Sequence, residues 1–98
     1  MKKVSFIYDT RNSTAPIYKN SSVEKSQIYY DYVSFLENNS LNTEIAISTD
    51  GLLSVDVYFT DEKYAEYLSV YATVSEEIET YNTESNIILT STVTYVNE

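Results

Sequence analysis

Any acid or base chemistry of this chain must rest on carboxylates, lysine or tyrosine. Its 98 residues include fifteen Asp and Glu but no histidine and no cysteine, so the commonest general base and the most tunable nucleophile are absent. Two carboxylate pairs, Asp61–Glu62 and Glu76–Glu77, are neighbours in a predicted helix. Neighbouring residues point apart on a helix, so neither pair forms a ready acid/base couple. We expect no enzymatic activity and no catalytic residues.

Metal and phosphate binding are the other chemistries to consider. Carboxylates alone would favour hard cations, but no loop carries alternating Asp and Asn ligands. The loop 9–20 follows the first predicted strand, where some folds hold phosphate, yet it contains no glycine. We expect no metal and no cofactor. An alternative remains open in which Arg11 and Lys19 hold a small anion and the chain is a regulator.

The net charge of −9 is unevenly distributed. Residues 1–25 carry five basic against two acidic side chains, a net +3, whereas residues 26–98 carry one against thirteen, a net −12. The negative field of residues 26–98 repels nucleic acid and anionic membranes and attracts basic partners. No apolar run approaches the roughly 20 residues that span a bilayer. We expect a basic protein partner, no direct nucleic-acid binding and no membrane association.

Two periodicities predict the elements that carry these side chains. Alternating apolar residues predict strands at 2–8, 41–48, 53–59 and 86–96. A first helix is predicted to begin at Ser21, as N-cap of a capping box with Glu24, and to end at 38–40. A second is predicted to begin after the N-cap Thr60 and to give way to a connector at 82–85.

The order β-α-β-β-α-β predicts an α+β fold of the ferredoxin-like plan, a four-stranded antiparallel sheet with both helices on one face. The length fits a single domain, 1–98. In the hairpin, only a three-residue loop at 49–51 pairs Ile47 with Leu53 and Ile45 with Val55, so we expect Gly51 in the left-handed conformation.

Each predicted helix has one wide apolar face, which we expect to pack on the sheet. On the first helix this face contains Ile28, Tyr29, Tyr32, Val33, Phe35 and Leu36. On the second it contains Tyr64, Tyr67, Leu68, Tyr71, Val74, Ser75, Ile78 and Tyr81.

Carboxylates occupy the outer side of the second helix and are the first candidate binding surface. Such a row can contact Lys and Arg that would otherwise hold phosphate. The alternative is a solvated face that only maintains solubility. The expected partner-binding residues are Tyr30, Asp31, Glu62, Glu66, Glu76, Glu77 and Glu79.

The sheet face away from the helices is the second candidate surface. We expect Ile7, Tyr58, Ile88 and Val96 there, which is apolar enough to favour self-association and a homodimer interface. The alternative is an ordinary threonine-rich exposed sheet. RNA-recognition modules share this plan, but they carry aromatic and basic residues on the two central strands. Residues 53–59 include no Lys or Arg, which argues against RNA binding.

Two stretches, IYYDYVSFL at 28–36 and YAEYLSVY at 64–71, carry a resemblance in composition. Together with the acidic, tyrosine-rich chain they resemble a family of anti-CRISPR proteins, from rod-shaped viruses of hyperthermophilic archaea, that block the type I-D interference complex. The resemblance implies a homodimer without enzymatic activity that binds the large, Cas10-like subunit of that complex in the host cytoplasm.

The expected function is therefore inhibition of a nucleic-acid-handling defence complex by an acidic surface that occupies a basic one. The main alternative is a small structural or assembly protein that uses the open sheet face. The two differ in whether the charges or the apolar face matter most.

Overall fold

The computed structural model describes residues 1–48 and 50–97. Their strands and helices follow the order β-α-β-β-α-β. The elements are β1 (Lys2–Asp9), a short 3-10 helix (Tyr18–Asn20), α1 (Gln27–Asn39), β2 (Asn42–Ile47), β3 (Leu52–Phe59), α2 (Asp61–Glu84) and β4 (Ile88–Tyr95). The strands form one antiparallel sheet in the order β2-β3-β1-β4, which confirms the ferredoxin-like prediction.

Both helices pack on the same side of the sheet. The ring of Phe59, at the end of β3 and 0% exposed, lies 5.1 Å from Tyr67 of α2 and 6.3 Å from Phe35 of α1. Val4 and Phe6 of β1 belong to the same buried cluster. The core therefore lies between the two central strands and the tyrosine-rich faces of the helices.

The start of α1 differs from the prediction. The N-cap is Ser26, whose side chain accepts a hydrogen bond from the Tyr29 N–H at 3.1 Å. Ser21 instead donates through its hydroxyl to the Tyr18 carbonyl at 2.8 Å, so the capping box with Glu24 does not form. Buried Tyr18 holds the segment before α1. A pattern of neighbouring residues in the sequence cannot predict that this tyrosine is buried.

The N-terminus of α2 confirms the prediction, and its C-terminus corrects it. Thr60 caps the helix by accepting from the Lys63 N–H at 3.1 Å. The helix then continues to Glu84 instead of stopping before 82. It ends in a Schellman motif at Asn86 (φ +57°), in which the Ile87 N–H donates to the Asn82 carbonyl at 2.9 Å. Asn82 is a weak helix former, but it is buried here, and tertiary context overrides that weakness. This cap occupies 86–87, so β4 begins later than predicted.

The hairpin confirms the predicted register, with Ile47 opposite Leu53 and Ile45 opposite Val55. Gly51 has φ +88°, as expected; Thr49 lies outside the described residues. The turn is also tied to the loop after β1, because Thr10 donates to the Gly51 carbonyl through its N–H at 3.0 Å and through Oγ1 at 2.7 Å.

Some apolar residues of the predicted helix faces and of β2 are exposed. Ile28 and Leu68 are 48% and 51% exposed because they lie at the margins of the buried helix faces. Ile45 and Ile47 lie on the helix side of the sheet, yet they are 64% and 79% exposed. β2 is an outermost strand, and among the described residues the buried strand side chains come from β1 and β3.

Candidate functional site

The outer side of α2 carries an acidic stripe, defined as Glu62, Glu66, Glu76 and Glu84. All four residues are exposed, and the 3.6-residue repeat of the helix brings them to one side. Glu84 was absent from the sequence prediction because the predicted helix stopped before it. Asn86, followed by the strand-like run that begins at Ile87, was a signal that could have placed the helix end correctly.

Little positive charge offsets the acidic stripe. The one basic residue of α2 is Lys63, whose Nζ lies 3.3 Å from Oε2 of Glu66. Both side chains are substantially exposed, so this i,i+3 pair is weak in water. At the first turn, the N-terminal amine of Met1 lies 3.6 Å from Asp61, beside the stripe. Glu62, Glu76 and Glu84 have no ion-pair partner among the described residues.

Glu77 does not belong to the outer side, which corrects its predicted placement. It is partly buried, and its carboxylate accepts from the Tyr18 hydroxyl at 2.6 Å, from the Ser26 N–H at 3.3 Å and from the Ser26 hydroxyl. Burial alone would raise the pKa of Glu77, but the hydrogen bonds from Ser26 and Tyr18 outweigh it and lower the pKa. Glu77 therefore holds the loop against α2 and is not free to meet a partner.

A shallow groove of about 540 Å³ runs beside the C-terminal half of the stripe. It is lined by Tyr18, Val23, Thr73, Glu76, Glu77, Thr80, Tyr81 and Glu84. A second recess of about 300 Å³ lies next to it, lined by Glu76, Glu79, Thr80, Thr83 and Glu84. Exposed Glu79 therefore adjoins the stripe. The Tyr18 and Tyr81 rings are buried, and Lys25 Nζ already lies 5.1 Å from the Tyr18 ring centroid. The exposed carboxylates are therefore the groups of this surface that could contact Lys and Arg of a partner.

Tyr30 and Asp31 lie on α1. Tyr30 is 52% exposed, with its ring 6.0 Å from that of Tyr29. Asp31 is exposed and accepts a hydrogen bond from Gln27 at 3.0 Å. Among the contacts of the described residues, no hydrogen bond or ion pair joins either residue to α2. The structure therefore does not bring these two residues into direct contact with the acidic stripe.

The predicted self-association residues lie on the open side of the sheet. Ile7 and Ile88 are 43% and 61% exposed, and the register places them on the face opposite the helices. Tyr58 is partly buried on this face, and the nearby Glu44 carboxylate, with a smaller contribution from desolvation, raises the pKa of its hydroxyl. Val96 is partly buried just beyond β4.

Arg11 is engaged by its neighbour. Its Nε and terminal nitrogen donate to the two carboxylate oxygens of Asp9 at 3.0 and 2.8 Å. These hydrogen bonds lower the pKa of Asp9 to about 2. The guanidinium therefore already has a carboxylate partner, which disfavours the small-anion alternative. Lys19 is exposed on the 3-10 helix.

The described residues offer no site for a metal ion and no membrane-spanning helix. Within residues 1–48 and 50–97, no three acidic side chains are grouped closely enough to hold a metal ion. No described helix combines the length and apolar character needed to cross a bilayer. Comparisons of the chain with protein-family models, curated proteins and solved structures found no match.

Proposed function

We propose that this chain is a non-enzymatic inhibitor that binds a basic surface of a host complex that handles nucleic acid. The observation that carries the proposal is the acidic stripe, four exposed carboxylates on one side of a 24-residue helix. A helix of that length extends about 36 Å. Carboxylates fixed along it can contact Lys and Arg that would otherwise hold phosphates.

The groove beside the stripe supports the same function. Glu76 and Glu84 line it together with the Tyr18 and Tyr81 side chains. The two tyrosines are buried, so a basic side chain in this groove would meet the exposed carboxylates of Glu76 and Glu84. The contact surface is therefore proposed to centre on the C-terminal half of α2, with exposed Glu79 beside it.

The proposed target is the Cas10-like large subunit of the type I-D interference complex, in the host cytoplasm. The support for this target is the resemblance in composition of residues 28–36 and 64–71. The support for a basic protein target of any kind is the net −12 of residues 26–98, which also opposes direct nucleic-acid binding.

The test is capture of the target at low and moderate salt by the immobilised chain and by two matched double variants. One variant combines Glu62→Lys with Glu76→Lys, and the other combines Glu24→Lys with Glu37→Lys. All four residues are exposed, and each variant changes the net charge from −9 to −5. We expect the purified type I-D complex, or a basic protein from host lysate, to bind the chain and to dissociate as salt rises.

The first variant should lose at least about tenfold in affinity, while the second retains most of it. Equal loss in both variants would mean that only net charge matters, which contradicts a specific stripe. Binding that is insensitive to salt would place the epitope on an apolar surface instead.

A structural or assembly protein is the second candidate function. It is favoured by Ile7 and Ile88, which are large, apolar and exposed on the open side of the sheet. The Glu62→Lys, Glu76→Lys variant separates the two functions. It should abolish inhibition in the first case and leave self-assembly unchanged in the second.

A further inference from the structure

The β4 strand is an edge that lacks the protections found on natural sheet edges. It pairs with β1 on one side only. Its eight residues, ILTSTVTY, include no charge, proline or glycine, and their register with β1 is unbroken, so no bulge interrupts the strand. Natural edges usually carry such features, because an open row of backbone groups is a template for another strand. The opposite edge, β2, is shorter and carries Glu44.

The register with β1 identifies which backbone groups of β4 are open. The Val96 N–H donates to the Met1 carbonyl at 2.9 Å, so even-numbered residues direct their N–H and C=O towards β1. In an antiparallel strand these directions alternate along the chain. The odd-numbered residues of β4 therefore direct theirs outward: Leu89, Ser91, Val93 and Tyr95.

We propose that β4 pairs antiparallel with β4 of a second copy of this chain, about a two-fold axis at Thr92. Among the possible registers, this one gives all of the outward-directed residues a partner. Leu89 of one copy lies opposite Tyr95 of the other, and Ser91 lies opposite Val93. The two sheets then continue into each other through backbone hydrogen bonds, and neither copy retains an open β4 edge.

The side chains and charges favour a second copy as the occupant. β4 carries no charge, so two chains of net −9 can approach here without placing like charges opposite each other. On the helix side, half-exposed Val93 and Tyr95 would gain neighbours. On the open side Thr90 pairs with Thr94, and Thr92 with its own equivalent, a pairing that stabilises sheets. The inference is independent of the acidic stripe.

A cysteine at the axis provides a direct test. Thr92 would face its equivalent in a non-hydrogen-bonded pair, with Cα atoms about 4.5 Å apart, which suits a disulfide. The chain has no cysteine, so a Thr92→Cys variant reports only on this contact. Thr90→Cys is the matched control, because its two equivalents would lie roughly 13 Å apart along the strands.

Under mild oxidation the Thr92→Cys variant should form a covalent dimer of twice 11.2 kDa, whereas Thr90→Cys should stay a monomer on a non-reducing gel. Comparable cross-linking of both variants, or of neither, would overturn the proposed register. Sedimentation equilibrium on the unmodified chain should give the dimer mass. A monomer at every concentration would overturn the proposed pairing of two copies. Binding of another protein's strand to β4 would not rescue it.

Proline variants test the same edge without a cross-link. Ser91→Pro removes an outward N–H and leaves the bonds to β1 intact, a position where edge strands tolerate proline. It should remain folded and become monomeric. Thr43→Pro is the control on β2: the Ser48 N–H donates to the Leu52 carbonyl, so odd-numbered β2 residues point outward. This variant should remain dimeric, and a folded Ser91→Pro dimer would contradict the proposal.

Discussion

The Tyr18 hydroxyl donates a 2.6 Å hydrogen bond to Oε2 of Glu77, a residue fifty-nine positions away. The Tyr18 ring also lies 4.9 Å from those of Tyr29 and Tyr81. The long loop after β1 is thereby anchored to both helices. Glu77 consequently differs from the exposed glutamates around it, since its carboxylate is part of the packing that holds the loop.

Replacing Glu77 with alanine should destabilise the fold by about 1–3 kcal/mol, because the Tyr18 hydroxyl and the Ser26 N–H lose a charged acceptor. Tyr18→Phe removes only one of these bonds and should cost about 1 kcal/mol. Urea unfolding measures both values. Glu76→Ala is the matched control and should stay within about 0.5 kcal/mol of the unmodified chain, because Glu76 is exposed. Equal effects at 76 and 77 would contradict an anchoring role.

The same carboxylate should make stability depend on pH. The pKa of Glu77 is lowered in the fold from an ordinary value of 4.5. Its charged form therefore adds stability that is present above pH 4.5 and is lost as the pH falls through the lowered pKa. We expect the difference in unfolding free energy between the unmodified chain and Glu77→Gln to shrink below pH 4.5. A difference that stays constant from pH 7 to about 3 would show that the charge contributes nothing.

Local signals predicted much of this fold. The Thr60 cap lies next to the helix that it caps, and the hairpin register follows from matching Ile47 with Leu53 on one face. The start of α1 was not predictable in this way. Its cap, Ser26, also bonds to Glu77, fifty-one residues away, and no pattern within a helical turn carries that contact.

In the candidate site too, local sequence signals predicted some features, whereas contacts between distant residues determined others. Exposure of Glu62, Glu66 and Glu76 followed from helical periodicity alone. The structural role of Glu77 did not, because periodicity places a residue on a side of the helix but cannot show that a loop covers that side. Glu84 was missed for a local reason, the weak helix formers before it.

Gly51→Ala should destabilise the fold by about 1–2 kcal/mol, the cost of a left-handed conformation for a residue with a Cβ. Gly51 has φ +88°, and an added Cβ would lie 3.1 Å from Cγ of Arg11. Thermal and urea unfolding measure the loss. An Arg11→Ala, Gly51→Ala double variant relieves the contact but not the strain, so it should recover only part of the stability. Full recovery would assign the cost to the Arg11 contact.

Alkaline pH should unfold the chain as its buried tyrosines ionise. Burial, with smaller contributions from Tyr29 and Tyr71, raises the pKa of Tyr8 to about 12, and burial likewise raises the pKa values of Tyr32 and Tyr67. The fold keeps these hydroxyls protonated, so its stability is complete below the ordinary pKa of 10 and falls as the pH rises towards 12.

Tyrosinate absorbance and circular dichroism, followed together above pH 10, check this expectation. We expect part of the absorbance change to coincide with loss of secondary structure. Tyr8→Phe removes one hydroxyl of raised pKa and should weaken the dependence of stability on pH in this range. If every tyrosine ionised near pH 10 while the dichroism stayed native, the buried rings would have to be accessible to water, which contradicts the packing of Tyr32 and Tyr67 in the core.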